Sequence, residues 1–335
     1  PRGSKAIELS PQVQQALGTK ESVLSGPELI QTVLRAPVDL LWNGGIGTYV
    51  KASTETQAEA GDPSNTSVRI DATEVRAQII GEGGNLGITP KGRIQLSERG
   101  VRLNTDAIDN SGGVDLSDHE VNIKILLERP LGRNEITPDE RDDLLNLVRP
   151  GVNTTVLQNN WIQCRSLSMD EARSSSNLSR FVRTIEHLSR EIPFLPSAQN
   201  MPSDSELAHR SNKGAGLYRP ELAVLTSFSK LYLRRGLAAG NRFTGERVNE
   251  YLLKYFEPEL IKRFKDDVLN HPLRDDIAQM MIVNLIVGDG GASIVSELIM
   301  QSGASTEDVA EAYLEASELL NAKQLKDELD RLESE

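Results

Sequence analysis

Cysteine is almost missing from this sequence: Cys164 is the one such residue in 335. No intrachain disulfide can form, and Cys164 has no CxxC partner. A lone thiol fits a reducing compartment, and the expected location is cytoplasmic. Histidine is scarce too. His119, His187, His209 and His271 are the full set, and none stands near another His or Cys at metal-ligand spacing. Asp118-His119-Glu120 is consecutive, and consecutive residues on a helix point in different directions, so they chelate one ion poorly. No metal is expected. Long apolar runs are absent as well. A membrane span needs about 18–20 apolar residues, whereas the best stretch, Met280 to Val287, is short and contains Asn284. It reads as a buried helix, so no membrane partner is expected, and no apolar leader stretch opens the chain. Positive charge is in deficit, with 37 Lys and Arg against 49 Asp and Glu and a net charge of −12. An acidic chain repels phosphate backbones, which argues against a nucleic-acid partner. It leaves room for one dinucleotide, because backbone amides can hold its phosphates. The G-x-S-x-G, H-E-x-x-H and P-loop signatures are all absent.

What is present divides near residue 130. The length suits about two domains. Residues 1–130 have an α/β texture. Ser10-Pro11 opens a short helix that stops near Gly18, and Ser25 with Glu28 forms a capping box for a second helix that Pro37 ends. Three short apolar runs follow, read as strands: Val38–Trp42, Ala77–Ile80 and Val101–Asn104. The first reads as a buried strand, and the polar stretch 51–68 as a surface loop. Thr89-Pro90 starts a helix that ends at Arg99-Gly100. Strands alternating with helices predict a parallel sheet with helices on its faces, and ligands of such sheets sit beyond the carboxyl ends of the strands. The glycine-rich turns all fall at that edge. After Pro130, Thr137-Pro138-Asp139-Glu140 is a helix start, and residues 152–173, 176–191, 203–213, 219–239, 245–265, 273–300 and 305–334 read as helices. The second part is therefore expected to be all-α.

Three turns are candidates for chemistry. Gly81, Gly83 and Gly87 follow a strand and precede a helix, a loose dinucleotide pattern that demands close backbone approach to a pyrophosphate. The competing readings are a loop that needs positive φ and another ligand-lining role. Asn110-Ser111-Gly112-Gly113-Val114-Asp115-Leu116-Ser117 places a glycine pair at a helix start, where bare amides and the helix dipole favour a carboxylate or phosphate. Ser117 adds a hydroxyl donor, and an ordinary capped helix is the alternative. Asn43-Gly44-Gly45 closes a strand at the same edge and alone means little.

Taken in order, these turns resemble the second half of the coenzyme domain of glutamate dehydrogenases. That family shows a strand with a turn, an E-G-x-N turn and an N-x-G-G-V-x-x-S turn into a helix. Here they read Val38–Gly45, Glu82-Gly83-Gly84-Asn85 and Asn110 through Ser117. The spelling from Leu40 to Val50 and from Asp109 to Ile125 is similar to the large multidomain bacterial NAD-dependent branch. Arg219-Pro220-Glu221-Leu222-Ala223-Val224-Leu225 and His271-Pro272-Leu273-Arg274 resemble that branch's helical C-terminal region.

The resemblance implies an α/β fold, the C-terminal half of a Rossmann-like coenzyme domain with a parallel sheet over residues 1–130. An all-α C-terminal domain over 131–335 follows it. It implies NAD as cofactor, lined by Asn43, Gly44, Gly45, Gly83 and Gly84. Asn85 is placed on the nicotinamide ribose side and Asn110 on the carboxamide. It implies L-glutamate and 2-oxoglutarate as ligands, with Val114 and Ser117 lining the side-chain pocket and Ser117 bonding the distal carboxylate. The family's catalytic lysine and aspartate and its pyrophosphate fingerprint belong to upstream segments not found here, so no catalytic residue is assigned. The expectation is a C-terminal portion that works with the upstream remainder of the same polypeptide and is inactive alone. Pro1-Arg2-Gly3-Ser4 reads equally as an expression-tag remnant or as native sequence. Two other readings stand: a helical module for homo-oligomerisation or regulation, supported by leucines at 222–233 and 319–332, and a different amino-acid dehydrogenase. Ser117 separates the last, because an enzyme for apolar amino acids wants an apolar group there.

Overall fold

The computed structural model describes residues 2–334. By internal contacts the chain divides into two compact units, Pro1–Val114 with Leu195–Val224, and Asp115–Phe194 with Leu225–Glu335. The compositional shift near residue 130 falls inside one helix, Ser111–Gly132, which contains Pro130.

Among the described residues the first unit has seven short strands: β1 (Ile7–Glu8), β2 (Val23–Leu24), β3 (Leu40–Asn43), β4 (Val50–Lys51), β5 (Ile70–Asp71), β6 (Ile79–Glu82) and β7 (Arg102–Leu103). β3, β6 and β7 form a parallel sheet in that order, with Leu40 opposite Ile79, Asn43 opposite Glu82 and Ile80 opposite Leu103. The three apolar runs are thus the three strands of one sheet. The stretch 51–68 is more structured than a plain loop. It contains the capped helix Gln57–Ala60 and leads into β5, which pairs with β4 in parallel. β1 and β2 form an antiparallel pair that the alternation pattern did not show, because two-residue strands carry no period.

Side chains alternate across the sheet. Leu41, Ile80 and Leu103 face a core with Val50, Ile70, Val75, Ile88 and Leu96. The other face bears Leu40, Trp42 and Ile79, which are 54, 60 and 44% exposed. The Val38–Trp42 run is therefore buried on one face only, a correction to the fully buried strand expected from its continuous apolarity. Arg2 belongs to this unit: its guanidinium donates to Asn65 Oδ1 and to the Ser64 carbonyl, both at 2.8 Å.

The second unit is helical. Its core gathers Ile123, Leu126 and Leu127 from Ser111–Gly132, Val148, Val152 and Val156 from Pro138–Ser176, and Ile282, Val283 and Ile286 from Arg274–Gly290. Thr137 caps Pro138–Ser176 through a capping box, and this helix of 39 residues runs on through Pro150. Three helices read as continuous are broken, each for a local reason. The stretch 245–265 breaks at Phe256-Glu257, where Pro258 restricts the preceding residue to extended backbone. The 273–300 stretch turns by 88° after Gly291 at φ 85°. The 305–334 stretch breaks at Asn321, φ 49°. Among the described residues no single helix is long and apolar enough to cross a membrane.

Candidate cofactor site

The carboxyl edge of β3 and β6 is built around one indole. The Trp42 ring lies against β6, so that a Cβ added at Gly81 would come within 2.5 Å of it and one at Gly83 within 2.6 Å. The Asn43-Gly44-Gly45 turn then folds onto the β6 turn: Gly84 N donates to the Asn43 carbonyl at 2.9 Å, and a Cβ at Gly84 would meet the Gly45 carbonyl at 1.9 Å. None of Gly81, Gly83, Gly84 or Gly87 has positive φ; in that loop the left-handed residue is Leu86, at 54°. The glycines of this loop are required by close approach of ring and backbone, which replaces the expectation of positive φ.

The amides of the same loop are engaged by the protein itself. Glu82 N donates to Asp109 Oδ2 at 2.9 Å, Leu86 N to Asp106 Oδ2 at 2.7 Å and Ile88 N to Glu82 Oε2 at 3.2 Å. A loop whose amides already bind three carboxylates is a poor cradle for pyrophosphate, since both the donors and the local charge are wrong. Beneath it Glu82, fully buried, takes two bonds from Arg93 at 2.7 and 2.9 Å, and Arg93 reaches Asp106 at 3.0 Å. Burial pushes the Glu82 carboxyl up, and the Arg93 guanidinium opposes that push. For Arg93 burial acts downward, but the bonds to Glu82 and the charges of Glu82 and Asp106 outweigh it, so the guanidinium is held charged.

Two asparagines meet above this base. Asn110 Nδ2 donates to Asn85 Oδ1 at 3.0 Å, which joins the turn after β6 to the turn after β7. Asn110 immediately precedes the Ser111–Gly132 helix, so Gly112 and Gly113 lie in its first turn. Val114 in this unit is 64% exposed. The support of Asn110 runs back through Asp109, which accepts from Asn104 Nδ2 at 2.7 Å, while Asn104 Oδ1 accepts from Arg219 Nε at 2.9 Å. Arg93, Asp106, Asp109, Asn104 and Arg219 were not assigned to the site from sequence, although Asp109 and Arg219 stand in motifs that carry the resemblance. Arg219 stands out in sequence only through its Pro220-Glu221 neighbours, and nothing local links it to a residue 115 positions away.

The structure thus brings Asn43, Gly44, Gly45, Gly83, Gly84, Asn85 and Asn110 to one edge of the first unit. Ser117, one helical turn after Val114, is exposed and belongs to the second unit. There its helix is anchored by Asp115, which accepts from Asn159 Nδ2 at 2.8 Å, and by His119, stacked on Tyr255 with ring centroids 4.1 Å apart. No group of three or more His, Cys, Asp or Glu side chains among the described residues could hold a metal ion.

A small parallel sheet whose carboxyl edge carries apposed glycine and asparagine turns, together with a helical unit, defines an α/β protein with a helical extension. Residues 1–170 match the family model for the bacterial NAD-glutamate dehydrogenase catalytic domain, and residues 214–335 match that for the glutamate dehydrogenase C-terminal region. The chain belongs to the bacterial NAD-glutamate dehydrogenase family. It is similar to three curated proteins, each named NAD-specific glutamate dehydrogenase. The Halomonas elongata protein is 38% identical over 100% of this chain, and the Pseudomonas aeruginosa protein 39% over 93%. The Mycobacterium tuberculosis protein is 40% identical over 93%. The chain spans only 21, 19 and 20% of those proteins.

Proposed function

We propose that this chain is the portion of an NAD-dependent glutamate dehydrogenase that orients the nicotinamide end of the cofactor and reads the side chain of glutamate. The observation that carries the reading is the Asn110–Asn85 hydrogen bond at the carboxyl edge of the parallel sheet. Two amide side chains held together there present both donors and acceptors, the complement of a carboxamide. The residues present fit NAD on this observation, and at Gly45, where an added Cβ would meet nothing within 4 Å, the turn leaves room for close approach. The parent reaction is oxidation of L-glutamate with water to 2-oxoglutarate and ammonia, with hydride acceptance as the chemistry that NAD supplies when bound.

In this reading Asn110 holds the carboxamide, Asn85 lies on the ribose side, and Asn43, Gly44, Gly45, Gly83 and Gly84 line the cofactor. Val114 and Ser117 line the side chain of glutamate, with the Ser117 hydroxyl donating to the distal carboxylate. The sheet order supports a Rossmann half. In a doubly wound sheet the fourth, fifth and sixth strands run in sequence from the centre outward, as β3, β6 and β7 do here. Among the described residues β3 pairs on one edge alone and the face with Leu40, Trp42 and Ile79 is exposed in this unit, which suits pairing with strands from the remainder of the polypeptide.

The test is steady-state kinetics of the full-length enzyme with Asn110→Ala. Losing one bond to a buried carboxamide costs about 1–2 kcal/mol, so the KM for NAD should rise roughly 5- to 30-fold at a smaller change in the KM for glutamate. An unchanged KM for NAD would remove Asn110 from the cofactor site.

A further inference from the structure

Leu86 stands in a backbone conformation that its side chain opposes. Among the described residues five non-glycines have positive φ: Asp62, Leu86, Asn134, Asn200 and Asn321. Four of them are Asp or Asn, whose short polar side chains bond locally and tolerate the left-handed region. Leu86, at 54°, has the same crowding of its Cβ against the following carbonyl oxygen and no polar atom to offset it.

The surrounding structure imposes this strain. Leu86 N donates to Asp106 Oδ2 at 2.7 Å, the Leu86 carbonyl accepts from Thr48 Oγ1 at 2.8 Å, and the Gly87 carbonyl accepts from Tyr49 N at 2.8 Å. Thr48 is itself fixed: its amide donates to Asp62 Oδ2 at 2.9 Å and its carbonyl accepts from Arg69 Nε at 2.9 Å. The bonds at residue 86 run through backbone atoms, so they hold the left-handed conformation whichever side chain is present. The fold does not need leucine there. Leu86 is 59% exposed and stands outside the apolar core of this unit. Glycine or asparagine would serve the turn with less crowding. Strain that the surroundings maintain, at a side chain that the core does not use, points to a ligand contact.

The neighbours indicate which ligand. Leu86 directly follows Asn85, whose side chain is bonded to that of Asn110 at 3.0 Å. A nicotinamide carries its polarity on one edge, at the carboxamide, and offers flat apolar ring faces. Amides for the edge and an apolar side chain on the adjoining residue match that distribution, which neither a phosphate nor a sugar shares. We infer that Leu86 is a cofactor contact whose side chain lies on a face of the nicotinamide ring, and that its left-handed backbone serves to aim that side chain. The inference rests on the reading of Asn110 and Asn85 as nicotinamide contacts. An apolar contact of about 40–55 Å² contributes roughly 5- to 10-fold in affinity.

Leu86→Asn and Leu86→Gly test it, because both accept the left-handed backbone and remove the apolar side chain. Fluorescence titration of the full-length enzyme with NADH should show binding weakened roughly 5- to 10-fold in both. ADP-ribose, which lacks the nicotinamide, should bind as it does to wild type, and Leu86→Met, still apolar, should bind NADH within about twofold of wild type. In thermal melts of the 335-residue chain without cofactor, Leu86→Asn should be as stable as wild type or higher by about 2–4 °C, as relief of strain requires. Unchanged NADH binding, equal weakening of ADP-ribose, or a Leu86→Met variant as weak as Leu86→Asn would each overturn the assignment. So would a lower melting temperature for Leu86→Asn, which would return the leucine to the fold. A response to Asn110→Ala with none to the Leu86 variants removes Leu86 alone, whereas no response to either removes the cofactor reading.

Discussion

Replacing Arg93 with Met should be the most informative single perturbation of the first unit. Arg93 and Glu82 have side chains only 5 and 1% exposed, and Arg93 gives two bonds to Glu82 and one to Asp106. Met keeps most of the volume and removes the charge. Deleting one member of a buried ion pair leaves the other uncompensated, which costs about 3–5 kcal/mol at neutral pH. That is a large fraction of the stability of a typical domain. The cost should depend on pH with a definite sign. Burial already pushes the Glu82 carboxyl up, and without Arg93 the opposing pull disappears. A carboxyl whose pKa is raised by folding is stabilising below its unfolded value and loses that contribution as pH rises through the folded value. The variant should therefore be closest to wild type near pH 4.5 and fall behind as pH rises, by at most about 1.4 kcal/mol per pH unit. Adding Glu82→Gln should recover much of the loss at pH 7, because a neutral amide needs no counter-charge. The assay is urea unfolding followed by Trp42 emission in a Trp161→Phe background, which isolates the first unit. A penalty below about 1 kcal/mol at pH 7, the range of an exposed pair, or one independent of pH, would refute the claim that this pair carries the base of the turns.

Further outcomes follow from the same geometry. Gly84→Ala brings a methyl to 1.9 Å from the Gly45 carbonyl. It should separate the two turns and destabilise the first unit by about 1–3 kcal/mol, measured by the same urea assay; a neutral result would contradict the close apposition. In the helical unit His119, His187 and His271 are all held below the ordinary histidine value by burial. Groups depressed by folding favour the folded state above their unfolded pKa and lose that contribution as pH falls. The melting temperature should decline as pH drops below about 6.5, and less steeply in His119→Phe, which keeps a ring against Tyr255. A flat or rising profile would sink this account. In the full-length enzyme, Ser117→Val should lower kcat/KM for glutamate by roughly 10- to 100-fold, because a buried carboxylate loses a hydroxyl donor. Equal turnover of glutamate by wild type and variant would remove Ser117 from the pocket.

Helix starts were legible from local chemistry alone. Ser25 with Glu28, Thr89-Pro90 and Thr137 with Glu140 each satisfy amides of their own first turn, so a few neighbouring residues suffice. The three sheet strands and their glycine turns were legible for the same reason, and so was the set of turns that reach the sheet's carboxyl edge. The helix breaks at Phe256-Glu257, Gly291 and Asn321 were not, although each has a local cause once seen. At Phe256-Glu257 and Gly291 apolar periodicity continues through the break, because both halves bury a face in one core; after Asn321 the leucines keep helical spacing although Leu325, Leu329 and Leu332 are exposed.

What the sequence alone determined is therefore the order of the three main sheet strands, the family and the identity of the turns. What only the tertiary structure decided is why those turns need glycine and what holds them. A glycine is the same letter whether it supplies positive φ, admits a phosphate or makes room for a ring, and here the Trp42 indole and the Gly45 carbonyl make the choice. Glu82, Arg93 and Asp106 sit on three separate elements, as do Asn104, Asp109 and Arg219. Buried charges must find partners wherever the chain folds them, and those partners lie at sequence distances that no local pattern encodes.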